Sequence, residues 1–60
     1  MIEILSTEHI AEIDWTLYKV KFTHLDYQII LDGKFDGDFT EQELLDKLQA
    51  QYDAWIARIG

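Results

Sequence analysis

The sequence predicts a small α+β domain: an antiparallel sheet of two to three strands, with a central hairpin over about residues 15–32, packed against one C-terminal amphipathic helix over about 41–59. Three observations carry this. A capping motif followed by apolar residues at helical spacing occupies the last third of the chain. Two-residue alternation occupies the middle. No apolar run approaches the roughly 18 residues of a membrane span.

The elements follow in order. Ile2-Glu3-Ile4-Leu5 is the candidate third strand, because a two-stranded hairpin is marginal alone. Residues 6–14 fit two patterns. Ile10 and Ile13 have helical spacing, and Ser6 can cap a short turn with Leu5 and Ile10 as its staple; Ala11, Ile13 and Trp15 alternate instead. The preferred expectation is a turn or short helix. In the hairpin, Tyr18, Val20 and Phe22 alternate with Lys19 and Lys21, and Tyr27, Ile29 and Leu31 alternate with Gln28 and Ile30. A loop at Thr23-His24-Leu25-Asp26 pairs Phe22 with Tyr27, Val20 with Ile29 and Tyr18 with Leu31. The connector from Asp32 to Asp38 contains Asp-Gly twice, and Asp32-Gly33 reads as a tight turn with Lys34-Phe35 as a short return strand.

Thr40-Glu41-Gln42-Glu43 is a capping box, flanked by a hydrophobic staple from Phe39 to Leu44. Leu44, Leu45, Leu48, Tyr52, Trp55, Ile56 and Ile59 then share an arc of roughly 120° at 100° per residue. Arg58 in the last turn suits the helix dipole.

Sixty residues make a single domain, 1–60. A chain this short buries only about 60% of its unfolded surface, so support must come from tight packing, self-association or a partner. Cysteine is absent, which excludes disulfides and thiolate zinc and fits a cytoplasmic setting. Met1-Ile2-Glu3-Ile4-Leu5 lacks the basic start of a signal peptide, so the expectation is an intact cytosolic protein. The net charge of −7 leaves no basic patch for nucleic acid. Neither a direct nucleic-acid partner nor a membrane partner is expected. Solubility alone also accounts for an acidic balance.

Catalytic, metal and cofactor sites find no support. Ser6 is the one serine, and no Gly-x-Ser-x-Gly elbow surrounds it. Asp36-Gly37-Asp38 starts like a calcium loop, but the sixth position is Glu41 and the twelfth is Lys47. His9 with Glu12, and His24 with Asp26, do not complete a transition-metal set. Residues 33–37 lack the Gly-Lys-Ser/Thr ending of a phosphate loop. The expectation is no enzyme and no cofactor.

Three surfaces are candidates for binding. Trp15, Leu17 and Ile30 fall on the sheet face away from the helix, where an aromatic beside aliphatics marks an interface unless residues 6–14 fold back over it. Asp32, Asp36, Asp38, Glu41, Glu43 and Asp46 form an acidic patch that suits a basic partner surface; the same acids also complement the helix dipole and suit turns. Ala50, Ala54 and Ala57 lie opposite the apolar stripe and permit close helix–helix approach in a homodimer; alanine is also simply the best helix former.

In size and charge the chain is similar in general character to small phage-encoded proteins that bind and inhibit host machinery. The functional expectation is a non-enzymatic protein-binding module, an inhibitor or regulator of a larger partner. The alternatives are a nucleic-acid mimic acting through the acidic patch, and a structural subunit of a homo-oligomer.

Overall fold

The computed structural model describes residues 1–59. Three strands, β1 (Ile2–Ile10), β2 (Trp15–His24) and β3 (Tyr27–Asp36), form an antiparallel sheet in the order β1-β2-β3, and the helix α1 (Glu41–Ile59) packs on one face. The α+β reading and the helix bounds stand. The cap forms as the sequence requires: the Thr40 N–H donates to Glu43 Oε1 at 2.9 Å, and the Glu43 N–H donates to Thr40 Oγ1 at 3.2 Å. Donation to the carboxylate from Thr40, by its backbone N–H first and its hydroxyl second, holds the Glu43 carboxyl below its ordinary range.

The hairpin register differs from the sequence expectation by two residues. The loop is Leu25-Asp26 alone, closed by His24↔Tyr27, so Phe22 pairs with Ile29, Val20 with Leu31 and Tyr18 with Gly33. A shift of two preserves every side chain's face. Phe22, Val20 and Tyr18 therefore still meet the helix, whereas Tyr27 lies at the hairpin tip, 55% exposed rather than in the core.

Two segments expected to turn are strands. β1 continues through Ile10, and only residues 11–14 turn. A bulge at Leu5, between the pairs Ile4↔Val20 and Ser6↔Lys19, resets its phase, so Ile2 and Ile4 share the helix face with Thr7 and His9. Asp32-Gly33 is not a turn either, because β3 runs on to Asp36. Gly33 lies under the Tyr18 ring, where a Cβ would sit 2.6 Å from Tyr18 Cζ. The glycine serves close approach of a ring, not positive φ.

The core consists of Tyr18, Val20, Phe22, Leu44 and Leu48, flanked by Ile2, Ile4, Ile29, Leu31, Phe35, Phe39, Tyr52 and Trp55. Each fully buried aliphatic or phenyl side chain contributes about 1.5–3 kcal/mol. Rings run along the layer: Phe39 meets Phe35 at 6.1 Å, Phe35 stacks on Tyr18 at 5.1 Å, and Phe22 meets Tyr52 edge-on at 5.3 Å.

The connector is fastened to the β1–β2 turn. The Gly37 N–H (φ 115°) donates to the Asp14 carbonyl at 2.6 Å, and the Thr16 hydroxyl, 4% exposed, donates to the Gly37 carbonyl at 2.6 Å. His9 Nε2 donates to Asp14 Oδ1 at 2.9 Å. The helix start is thus placed by the far end of the sheet as well as by its own cap.

Candidate functional site: the open face of the sheet

The helix covers one face of the sheet, and no element among the described residues covers the other. Strand alternation and the two registers determine what that open face carries. Its rows across β1, β2 and β3 are Glu3–Lys21–Ile30, Ser6–Lys19–Asp32, Glu8–Leu17–Lys34 and Ile10–Trp15–Asp36. A shallow groove of about 370 Å³ crosses its middle, lined by Ser6, Glu8, Leu17, Lys19 and Asp32.

Trp15 and Leu17 sit side by side on β2, both half-buried, with Ile10 across from Trp15. Lys34 places its Nζ 4.0 Å from the Trp15 ring centroid and 3.1 Å from Asp36 Oδ1. Ile30, 56% exposed, does not join this group. It pairs with Lys21, four residues along β2 from Leu17, a separation of roughly 13 Å at 3.3 Å per residue. Lys19 and Lys21 stand between. The segment 6–14 does not fold back over the face, since β1 takes its first five residues into the sheet edge.

The face is close to neutral. It carries Glu3, Glu8, Asp32 and Asp36 against Lys19, Lys21 and Lys34, so the remaining eight acids and two bases hold most of the net charge elsewhere. The acidic candidates consequently occupy different layers. Asp32 and Asp36 are on the open face, opposite Lys19 and beside Lys34. Glu43 is occupied by the cap, and Asp46 accepts from Gln42 Nε2 at 3.0 Å. Asp38 and Glu41 line a cleft of about 350 Å³ between β1 and the helix start, with Ile4, Phe39 and Leu44 also in its walls. Ala50, Ala54 and Ala57 are exposed on the outer side of α1, and Ala54 also lines a groove toward β3.

Sequence reasoning missed Lys34 and Ile10 as members of the Trp15 cluster. The signal for Lys34 was hidden by the Asp32-Gly33 turn reading, which took Lys34 out of the strand. Among the described residues no group of three or more His, Cys, Asp or Glu side chains converges to hold a metal, and no helix is long and apolar enough to cross a membrane. Set against protein-family models, characterised proteins and solved structures, the chain matches none.

Proposed function

We propose that the chain is a non-enzymatic protein-binding module that regulates or inhibits a larger protein partner, engaged through the Ile10–Trp15–Leu17 end of its open sheet face. One observation supports this above the others: a tryptophan on an uncovered sheet face, flanked by aliphatic residues and topped by a lysine at 4.0 Å. Tryptophan beside a ring of polar groups is the composition of a binding hot spot. The near balance of charge on the face favours shape and apolar contact over long-range attraction.

The test is quantitative affinity enrichment from lysate at two salt concentrations, with wild type, Trp15→Ala, and an Asp38→Asn/Glu41→Gln/Asp46→Asn triple variant. The open-face reading expects a specific partner set that survives high salt, is retained by the triple variant and is lost in Trp15→Ala. Circular dichroism checks that each variant is folded. If folded Trp15→Ala keeps the same partners, the reading fails. Capture that collapses with salt and with the triple variant favours mimicry of a nucleic acid instead.

A further inference from the structure

We infer that the outer edge of β3 is a self-complementary strand edge, and that a second copy of this chain pairs with it antiparallel about Gly33, joining two sheets into one of six strands.

The argument starts from the backbone. The Thr23 N–H donates to the Met1 carbonyl at 2.9 Å, so the odd-numbered residues of β2 bond toward β1 and the even-numbered ones toward β3. His24↔Tyr27 is then a hydrogen-bonded pair, and Tyr27, Ile29, Leu31, Gly33 and Phe35 direct their backbone groups into the sheet. The N–H and C=O groups of Gln28, Ile30, Asp32, Lys34 and Asp36 face outward. No strand lies beyond β3 among the described residues, and β3 carries neither proline nor bulge.

Charge selects the register. In a two-fold antiparallel pairing, each residue meets a partner residue such that their numbers add to a constant. Centring on Asp32 sets it against its own copy, and centring on Lys34 does the same for the lysine; like charges directly opposite destabilise a pair. Centring on Gly33 sets Asp32 against Lys34 twice, on the open face, and Leu31 against Phe35 twice, on the helix face. Each Asp32 then lies between Lys19 of its own chain and Lys34 of the other. Lysine on an edge usually deters pairing, but an aspartate two residues away makes this lysine a complement. The helix face of the same edge has a groove of about 280 Å³ lined by Phe22, Ile29, Leu31, Trp55 and Ala54, which a second copy would border. The other edge, β1, offers no equivalent: it has a bulge at Leu5, and its carboxylates Glu3 and Glu8 have no lysine or arginine on the same strand.

This edge shares Lys34 with the Trp15 end of the open face, but its test uses the purified chain alone and reads self-association rather than capture of another protein. Sedimentation from micromolar to millimolar concentration, at a salt level that screens the net charge of −7, is expected to show reversible dimers. Lys34→Asp and Asp32→Lys, each alone, set like charges opposite and are expected to be folded monomers. Mixed in equal amounts, the two variants restore both opposite-charge pairs and are expected to form a heterodimer. Amide exchange on the wild type gives an independent readout: the N–H groups of Ile30, Asp32 and Lys34 gain protection with concentration, while the outward-facing amides of Ile4, Thr7 and His9 on the β1 edge do not. A wild type that stays monomeric throughout overturns the inference. So do single variants that dimerise as the wild type does, and a mixture of folded variants that remains monomeric.

Discussion

Gly33→Ala separates a strand glycine from a turn glycine by the sign of its effect. Gly33 occupies β3 opposite Tyr18, and the Tyr18 ring lies across its Cα. An added methyl would overlap the Tyr18 hydroxyl oxygen most and sit 2.6 Å from Cζ and 3.1 Å from Cε2, so reaching ordinary contact at 3.4 Å requires the ring and its hydroxyl to move by about 1 Å. The ring has little room. It is 8% exposed, stacks on Phe35 at 5.1 Å and has its hydroxyl near Gln51. Overpacking of this kind costs about 1–3 kcal/mol. A chain of this length has a total stability of only about 3–9 kcal/mol. Thermal and urea unfolding at low protein concentration should therefore show a Tm lowered by roughly 10–20 °C, at about 8 °C per kcal/mol for a small domain. Without the ring, the same substitution in an extended segment would stabilise by about 0.4–1 kcal/mol through the unfolded chain. Placed in a Tyr18→Leu background, Gly33→Ala should lose its penalty. Gly33→Asn should be worse than Gly33→Ala, the reverse of what a positive-φ turn would show. A neutral or stabilising Gly33→Ala in the wild-type background would refute the close-approach argument.

Other outcomes follow from local geometry. Leu25 is held at φ 56°, a conformation that leucine rarely adopts, and it is fully outside the core; Leu25→Gly should raise stability by about 0.5–1 kcal/mol in urea unfolding, because glycine reaches that region without strain. Thr16→Val keeps the shape but removes the donor to the Gly37 carbonyl, and should cost about 1–3 kcal/mol by the same assay. Thr40→Ala removes the cap and should cost about 1 kcal/mol of unfolding free energy. The pH dependence of Glu43 has a definite sign: its folded carboxyl is held below the ordinary range, so its contribution is present above the ordinary glutamate pKa and disappears as pH falls through the lowered folded value. Carbon-13 titration should find Glu43 ionising low in the wild type and only partly returning toward ordinary glutamate in Thr40→Ala, which removes the hydroxyl but keeps the residue-40 backbone N–H.

The helix was legible because its signals are local. A cap, a staple and a repeating stripe all lie within residues 39–59 and need nothing from elsewhere. The strand faces were legible for a related reason: alternation survives a register error of two, so the sides of Tyr18, Val20 and Phe22 came out right although the loop was read too long. Ile30 shows what such an error does change. The expected register sets it opposite Lys19, near Leu17; the actual one sets it opposite Lys21, about 7 Å further away at 3.3 Å per residue. The second half of β1 was not legible, because Ser6, Thr7 and Glu8 are exposed on an edge and the bulge at Leu5 breaks the alternation that would have marked a strand. Asp32-Gly33 misled for the opposite reason. Its composition is that of a turn, and a tyrosine fifteen residues upstream in the sequence decides its conformation.

The chain has two tryptophans, and the sheet lies between them. Trp55 packs beside Phe22 and Tyr52 on the helix side, while Trp15 stands on the other side under the Lys34 ammonium. The molecule thus contains two optical probes with different subjects. Emission from Trp55 follows the integrity of the layer between sheet and helix, and emission from Trp15 follows whatever approaches the open face and displaces the lysine. Single-tryptophan variants, Trp15→Phe and Trp55→Phe, divide unfolding and recognition into separate spectra of one unlabelled protein.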